Sequence, residues 1–310
     1  MARQTFEDWI PEEWGGPVIT KIAEVSAVEG VARPEPMGTD TKHVPRSAGM
    51  AFAGAIAKGS PYGEATGTND DVLLTALKFG TVVRIADEDT KDTAGLVNVI
   101  ATKQGEWARG HAVGFDNACL GTSVASNGGT VPFNSLYYSL NTANADTGYT
   151  ADANLTVTAG ALTYADISAA FGMVETSDFY EEGAQVVIAH PSFKAKLRDL
   201  VGTDGHPIFN EYSAQGNGSP DRLLGAPIRW TLGARVHATA TSAPTGSPLL
   251  FVGNANYLIK GDRSGPEYMV AGADTGAAFL TDEHLLKMRV RRGFAVANEN
   301  AWAAIEYTAA

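Results

Sequence analysis

The chain is expected to fold as a mixed α+β protein, and three observations predict it. Leu96, Ile100, Trp107, His111, Phe115 and Ala118 recur at spacings of three or four, apart from one gap near Lys103, which is a helical stripe. Residues 185–189 form a short apolar run of strand length, a buried strand. Near the C-terminus Leu286, Met288 and Val290 alternate with Lys287, Arg289 and Arg291, the period of a half-buried strand.

With 310 residues the chain can bury one large core or two modest ones. Hydrophobic content of 44% and charged content of 19% are those of a folded globular protein. The longest mainly apolar stretches, 186–189 and 249–252, are far short of the roughly 20 residues of a membrane helix. The opening MARQTFEDWIPEEW lacks the basic, apolar and small-residue regions of a secretory signal, so a cytoplasmic site of synthesis is expected. Cys119 is the single cysteine, which excludes an internal disulfide and a thiolate-cluster metal site. The net charge of −12 argues against nucleic acid as a primary ligand and suits the wall of a container.

Residues 1–37 combine Phe6, Trp9, Ile10 and Trp14 with Pro11, Pro17, Pro34 and Pro36, so large apolar groups sit on a chain that cannot run as one helix. Burying each of those side chains is worth roughly 1.5–3 kcal/mol. Fixing ten residues of backbone costs about 1–2 kcal/mol per residue. The two terms nearly cancel, so an extended arm that orders against another subunit is expected. Residues 47–69 are dominated by Ala, Gly and Ser, with Lys58 and Glu64 as their charges. Flanked by strand-like 41–45 and 82–86, they read as a long hairpin-like excursion spanning 47–76.

The helical stripe belongs to 87–120, which opens on Asp87, Glu88, Asp89 and Asp92, acids that complement the positive end of a helix dipole. Run as one helix it would be about 50 Å long. Gly105, Gly110 and Gly114 each weaken it. Residues 121–158, rich in Gly, Ser, Thr and Asn, read as a loop-dominated passage. A helix follows at 163–176, with Ile167, Phe171 and Val174 on one face. Next come the strand at 185–189, a short helix from Pro191 through Leu197, a turn at 203–205, and strands at 227–232 and 249–252.

Catalytic signatures are missing. The chain carries no G-x-x-x-x-G-K-[ST], no G-x-S-x-G and no H-E-x-x-H. His43, His111, His190, His206, His237 and His284 are scattered without ligand spacing, and His111 on the stripe reads as a packing residue. Asp178, Glu181 and Glu182 read as a solvated turn. Arg289, Arg291 and Arg292 read as a strand face that pairs with carboxylates of a neighbouring copy. No catalytic, cofactor-binding or metal-binding residue is assigned.

The helix ending Asp116-Asn117-Ala118-Cys119-Leu120-Gly121 is similar to the spine helix of the Hong Kong 97-fold major capsid proteins of tailed bacteriophages. VIAHPSFKAKLRDLVGTDGHPIF at 187–209, LLGAPI at 223–228, LLFVGNANYLIKGDRSG at 249–265 and MRVRRGFAVANENAWAAIEY at 288–307 resemble later elements of that family, in order. The resemblance covers most of 38–310. It implies an N-terminal arm at 1–37, then the first part of a peripheral domain at 38–130 with its extended loop at 47–76 and spine helix at 87–120. An axial domain would follow at 131–262 and the peripheral domain's C-terminal strands at 263–310.

The function implied is self-assembly through pentamers and hexamers into an icosahedral head around double-stranded DNA, which is contacted without sequence-specific binding. Further implied partners are separate scaffolding, portal and decoration proteins. The protein would reside in the virion after assembly in the host bacterial cytoplasm. Phe6, Trp9, Ile10, Trp14, Lys58, Arg289, Arg291 and Arg292 are the expected intersubunit contacts. Some members cross-link a loop lysine to a neighbour's asparagine, which would involve Lys58 and the Asn298-Glu299-Asn300 run; Lys58 as a solvated loop charge is the simpler reading. An encapsulin-like nanocompartment shell, or a hydrolase or binding domain, are the alternatives.

Overall fold

The structure, a computed structural model, describes residues 26–47, 54–62, 69–92, 99–200, 222–272 and 280–308. In chain order these carry α1 (Ala27–Val31), β1 (Arg33–Pro36), β2 (Thr41–Ser47), β3 (Asn69–Thr75), β4 (Leu77–Ala86), α2 (Asp87–Asp92), α3 (Val99–Leu120) and α4 (Leu136–Asn141). They continue with β5 (Leu155–Ala159), α5 (Tyr164–Glu175), β6 (Gln185–Ala189), α6 (Phe193–Arg198), β7 (Arg222–Leu223), β8 (Ala226–Trp230) and β9 (Leu249–Asn254). The last three are β10 (Leu258–Ala271), β11 (Glu283–Val296) and β12 (Trp302–Thr308). Phe6, Trp9, Ile10 and Trp14 of the expected arm lie outside the described residues, as do the turn at 203–205 and the join at 93–98 between α2 and α3.

The chain divides into two compact units. One takes in Gly80–Arg109 and Glu267–Arg289; the other takes in Glu24–Phe79, Gly110–Pro266 and Val290–Ala310. Within the first, Trp107 of α3 meets Tyr268 of β10 edge to face, with ring centroids 5.8 Å apart. Asp87 accepts from Lys91 and lies 2.9 Å from His284 Nε2, and these two partners hold its carboxyl below the usual carboxylate range.

The second unit is built on a mixed six-stranded sheet in the order β5-β12-β9-β6-β8-β7. Its central strands are buried on both faces, which is why they read as continuous apolar runs. Val186, Ile188, Leu249, Phe251, Trp302 and Ala304 point to one side, against Phe115, Ala118, Cys119 and Leu120 of α3 and Leu136, Tyr137 and Leu140 of α4. Val187, Ala189, Leu250, Val252, Ala303 and Ile305 point to the other, against Ile167, Ala170, Phe171 and Val174 of α5 and Phe193 and Leu197 of α6. Period-two alternation thus feeds two cores from one sheet. Helix α5 starts in a reciprocal cap, the Thr163 hydroxyl accepting from Asp166 N and the Asp166 carboxylate accepting from Thr163 N.

Two sequence expectations change. The passage 121–158 is not merely loop: it holds α4, started by Ser135 whose hydroxyl accepts from Tyr138 N, and β5, which pairs parallel to β12. Neither is long enough to show a period, and burial of Leu136, Tyr137 and Leu140 supplies what six residues of helix lack on their own. The second change concerns the C-terminus. Strand β12 inserts between β5 and β9, so 302–308 share a sheet with 155–254 and not with the 283–296 strand before them. Chain order alone concealed this long-range pairing.

Gly253 faces Trp302 across that pairing, and a Cβ there would stand 2.5 Å from both Trp302 Cδ2 and Ala301 O. Gly253→Ala is therefore expected to destabilise the unassembled subunit by about 1–3 kcal/mol, read as a lowered denaturant midpoint.

Candidate assembly surface

The surface is built outward from one buried carboxylate. Asp116 sits in the last turns of α3, fully buried, near the negative end of the helix dipole where an anion is unfavourable without compensation. Compensation comes from α1 and the strand end at Thr231. One carboxylate oxygen accepts from Ser26 Oγ and from Val28 N at 3.1 Å. The other accepts from Ala27 N at 2.8 Å and Thr231 Oγ1 at 2.6 Å. Burial pushes the Asp116 carboxyl up to about 6, while the same four donors restrain the rise. Next to it Asn117 Nδ2 donates to the carbonyls of Gly233 and Arg235 at 2.9 and 2.8 Å.

This approach is so close that side chains are excluded from it. A Cβ on Gly233 would stand 2.6 Å from Asp116 Cβ, and one on Gly121 would stand 2.0 Å from Arg235 O. The Asp-Asn-x-x-x-Gly sequence closing the helix is thus a device for fastening residues 26–28 and 231–235 to one helix end.

A second fastening follows along the N-terminal segment. Arg292, buried on β11, donates from Nε to Glu29 at 2.8 Å and from Nη1 to Ser264 O at 2.7 Å, and its Nε lies 3.4 Å from Asp262. Strand β1 then runs parallel to β10, from Arg33 beside Ile259 to Pro36 beside Asp262. The base of the expected arm is therefore held by its own chain at two places.

From there β2 and β3 form an antiparallel ladder from Thr41 opposite Thr75 to Ser47 opposite Asn69. Arg46 grips Asp70 with Nε and Nη2, and donates from Nη1 to Ala297 O at 2.6 Å. That pairing raises the Arg46 pKa and lowers that of Asp70. At the far end every described residue from 54 to 62 is exposed, including Ile56 at 45% and Tyr62 at 87%. Lys58 lies there on a turn, its neighbour Gly59 at φ +89°.

Of the expected contact residues, Lys58 is presented to solvent on this tip. Leu286, Met288 and Val290 are buried as the alternation required. Arg289 is paired with Glu267 in its own unit, its Nε and Nη2 lying 2.8 and 2.6 Å from one carboxylate oxygen. Arg292 also finds its partners within the chain, so its place is in holding the N-terminal segment. Arg291, half-buried, has no ion-pair partner among the described residues. Glu299 is buried and accepts from Asn144 Nδ2 and Thr147 Oγ1 at 2.9 and 2.8 Å, which occupies both oxygens in holding a loop. The roles of Asp116, Glu29 and Asp70 were missed. An acid at the carboxyl end of a helix was the one available sign.

Among the described residues no group of three or more His, Cys, Asp or Glu is placed to hold a metal ion. No helix among them is long and apolar enough to cross a membrane. Asp178, Glu181 and Glu182 are exposed. Two Ser–His contacts are present among the described residues, His190 Nδ1 to Ser192 Oγ at 2.8 Å and His237 Nε2 to Ser242 Oγ at 2.9 Å, each joining residues close in sequence. Arg235 Nε donates to His190 Nε2 at 3.1 Å and Ser192 N donates to His190 Nδ1 at 3.1 Å, so both ring nitrogens are engaged in holding the turn after β6. Burial first, and the Arg235 charge second, press the His190 pKa down to about 4. His111 stacks on Phe115 and meets Phe79 edge to face, as a packing residue does.

A twice-fastened N-terminal segment and a β2–β3 hairpin with an exposed described tip accompany a double-cored body. A profile of the phage capsid family matches residues 7–307, and the chain belongs to that family. The family is structural, not enzymatic. The fold is similar to that of a protein of Mycobacterium phage Ogopogo, at TM-score 0.74 and 15% identity over 99% of this chain and 100% of that one. It is similar to one of Mycobacterium phage Bobi, at 0.73 and 14% over 98% and 97%. It also matches the capsid of an empty GTA particle solved with C5 symmetry, at 0.67 and 12% over 97% and 96%. At these identities the likeness is one of fold, the Hong Kong 97-type fold expected from the sequence. No curated protein matches the sequence. Nothing among these matches favours the nanocompartment or hydrolase alternatives.

Asp116→Asn tests the first fastening. Each carboxylate oxygen serves one backbone N–H, so either orientation of an amide turns its NH₂ toward a backbone donor that cannot rotate away. A loss of about 1–3 kcal/mol is expected, read by denaturant unfolding. His190 supplies a pH test. Its folded pKa lies below the unfolded value, so its contribution is complete above pH about 6.5 and is lost as pH falls toward about 4. His190→Gln should therefore flatten the decline in unfolding free energy across that window; an unchanged slope would exclude the assignment.

Proposed function

We propose that this chain is a major capsid protein whose copies assemble through pentamers and hexamers into an icosahedral head enclosing double-stranded DNA. Family membership supports the reading, and one observation of this chain carries it. The β2–β3 hairpin ends in a tip on which Ile56 and Tyr62 are exposed, large apolar groups that no core of the described residues covers. Such a tip is completed by another copy.

In this reading Lys58, the arm residues Phe6, Trp9, Ile10 and Trp14, and the β11 residues Arg289 and Arg291 serve contacts between copies. Arg292 secures the base of the arm from within. The six-stranded sheet with 302–308 forms the axial region, and the long strands β4, β10 and β11 with α3 form the peripheral one. The acidic chain leaves packaged DNA without a specific site. Scaffolding, portal and decoration proteins are further partners, with assembly in the host bacterial cytoplasm and final residence in the virion.

Electron microscopy of the expressed full chain, with and without its neighbouring phage proteins, tests this. Closed shells or capsomer rings are expected, and a monodisperse monomer at high concentration under both conditions would overturn it. Removing residues 1–25 should abolish shells while leaving the unfolding transition of the subunit in place, because the fastening at Asp116 begins at Ser26.

A further inference from the structure

We propose that Arg46 is a positioning residue for assembly, a strut that fixes the angle at which the β2–β3 hairpin leaves the body before any other copy meets it. The inference rests on the reading that the hairpin serves contacts between copies, and it names the residue that aims it.

The ladder sorts its side chains by period two. Lys42, Val44 and Arg46 of β2 are half-buried, whereas Thr41, His43, Pro45 and Ser47 are exposed, so the first three face the body. Opposite them stand Leu74, Val72 and Asp70 of β3. Along this face the apolar support fades with distance from the base. Leu74 is fully buried in a small core with Met37, Ala76 and Ile259, separate from the two cores of the six-stranded sheet. Farther out, Val44 and Val72 are only half-buried. A cavity of about 360 Å³ opens between Val72 and the side chains of Phe133, Phe294 and Glu299. Another of about 290 Å³ opens between Val44, Val72 and residues Tyr257, Ala297 and Asn298. Voids forfeit the contacts that would resist a swing, so packing alone does not hold the hairpin at one angle here.

Arg46 and Asp70 come next, a charged pair turned toward the body where another apolar pair would have continued the packing. The guanidinium is held on three nitrogens. Nε and Nη2 grip the two oxygens of Asp70, Nε at 2.8 Å, and Nη1 donates at 2.6 Å to the carbonyl of Ala297, just past the end of β11. Because the fork is planar and rigid, these bonds tie the direction of the ladder to the backbone at residue 297. Its side chain is 17% exposed, so water competes little for the donors. Lysine would keep the charge and lose the geometry, since one ammonium cannot serve both Asp70 oxygens and the Ala297 carbonyl in fixed directions. A hairpin aimed in advance does not have to be ordered when copies meet, and association keeps the free energy that ordering would cost.

Spin labels test the strut in the dilute, unassembled full chain. Ser60→Cys on the tip and Ala143→Cys on the body are exposed positions, while Cys119 is buried and takes no label. The distance between the labels reads the angle of the hairpin. With Arg46 in place one narrow distance distribution is expected. Arg46→Lys and Arg46→Met should each broaden it about twofold, while the amides of 41–47 and 69–75 keep their protection from hydrogen exchange. In the unlabelled chain the same substitutions should lower particle yield about tenfold, the hairpin then being ordered only at contact.

An unchanged distribution in both variants would overturn the inference. Loss of ladder protection along with position would do so too, because Arg46 would then merely stabilise the ladder. Normal particle yield from a broadened hairpin would also overturn it. The distances are read before assembly, so absence of shells from the unchanged chain marks failure of the capsid reading separately from failure of the strut.

Discussion

One carboxylate decides how this chain is put together. Asp116 is buried at the end of a long helix, where neither water nor the helix dipole favours its charge, and it is tolerable there because two backbone N–H groups and two hydroxyls converge on it. Those donors belong to segments roughly ninety and more than a hundred residues away in sequence, so satisfying one anion fixes where the N-terminal segment starts and where the chain leaves β8. Breaking any arm of the arrangement strands a polar group in the core. The geometry also explains its glycines, because Gly121 and Gly233 are the positions at which backbone must touch backbone.

A second constraint is the division of labour within the sheet. Strands β6, β9 and β12 spend both faces on core, leaving no surface for contact, whereas β11 spends one face and keeps the other. The hairpin goes further. Its strands are only half-covered and its described tip is wholly exposed. A protein that builds shells needs both behaviours: a body that holds its shape and extensions that find partners. The anchors at Asp116 and Arg292 hold residues 26–29 to the body.

Much of this was legible in the sequence. Residues 185–189, 249–252 and the alternation around Leu286 gave strands because period and burial are local properties of a pleated backbone. The helical stripe ending at Phe115 and Ala118 did the same for α3, and the six-residue motif from Asp116 to Gly121 carried the family resemblance. The exposure of 54–62 accords with a composition too poor in large apolar groups to build a core, but the strand that pairs with 41–47 is 69–75 and not the expected flank at 82–86, because the ladder register is set between strands and not along one. What stayed hidden depends on pairing over long distance. Nothing local to Leu155–Ala159 or to Trp302–Thr308 says that they lie side by side, and nothing in Gly253 announces the indole of Trp302 above it.

The sequence by itself determined which stretches could be buried, which could not, and that the chain belonged among assembling proteins without a catalytic set. Only the tertiary structure decided which charges are spent internally and which are not. Arg289, Arg291 and Arg292 are nearly adjacent and chemically alike. One shares its charge with Glu267, one is sealed against Glu29, Asp262 and Ser264, and one is left over. The difference is physical: a cation is committed by the acids and carbonyls that other strands bring within about 3 Å of it, and that neighbourhood is not written on its own strand.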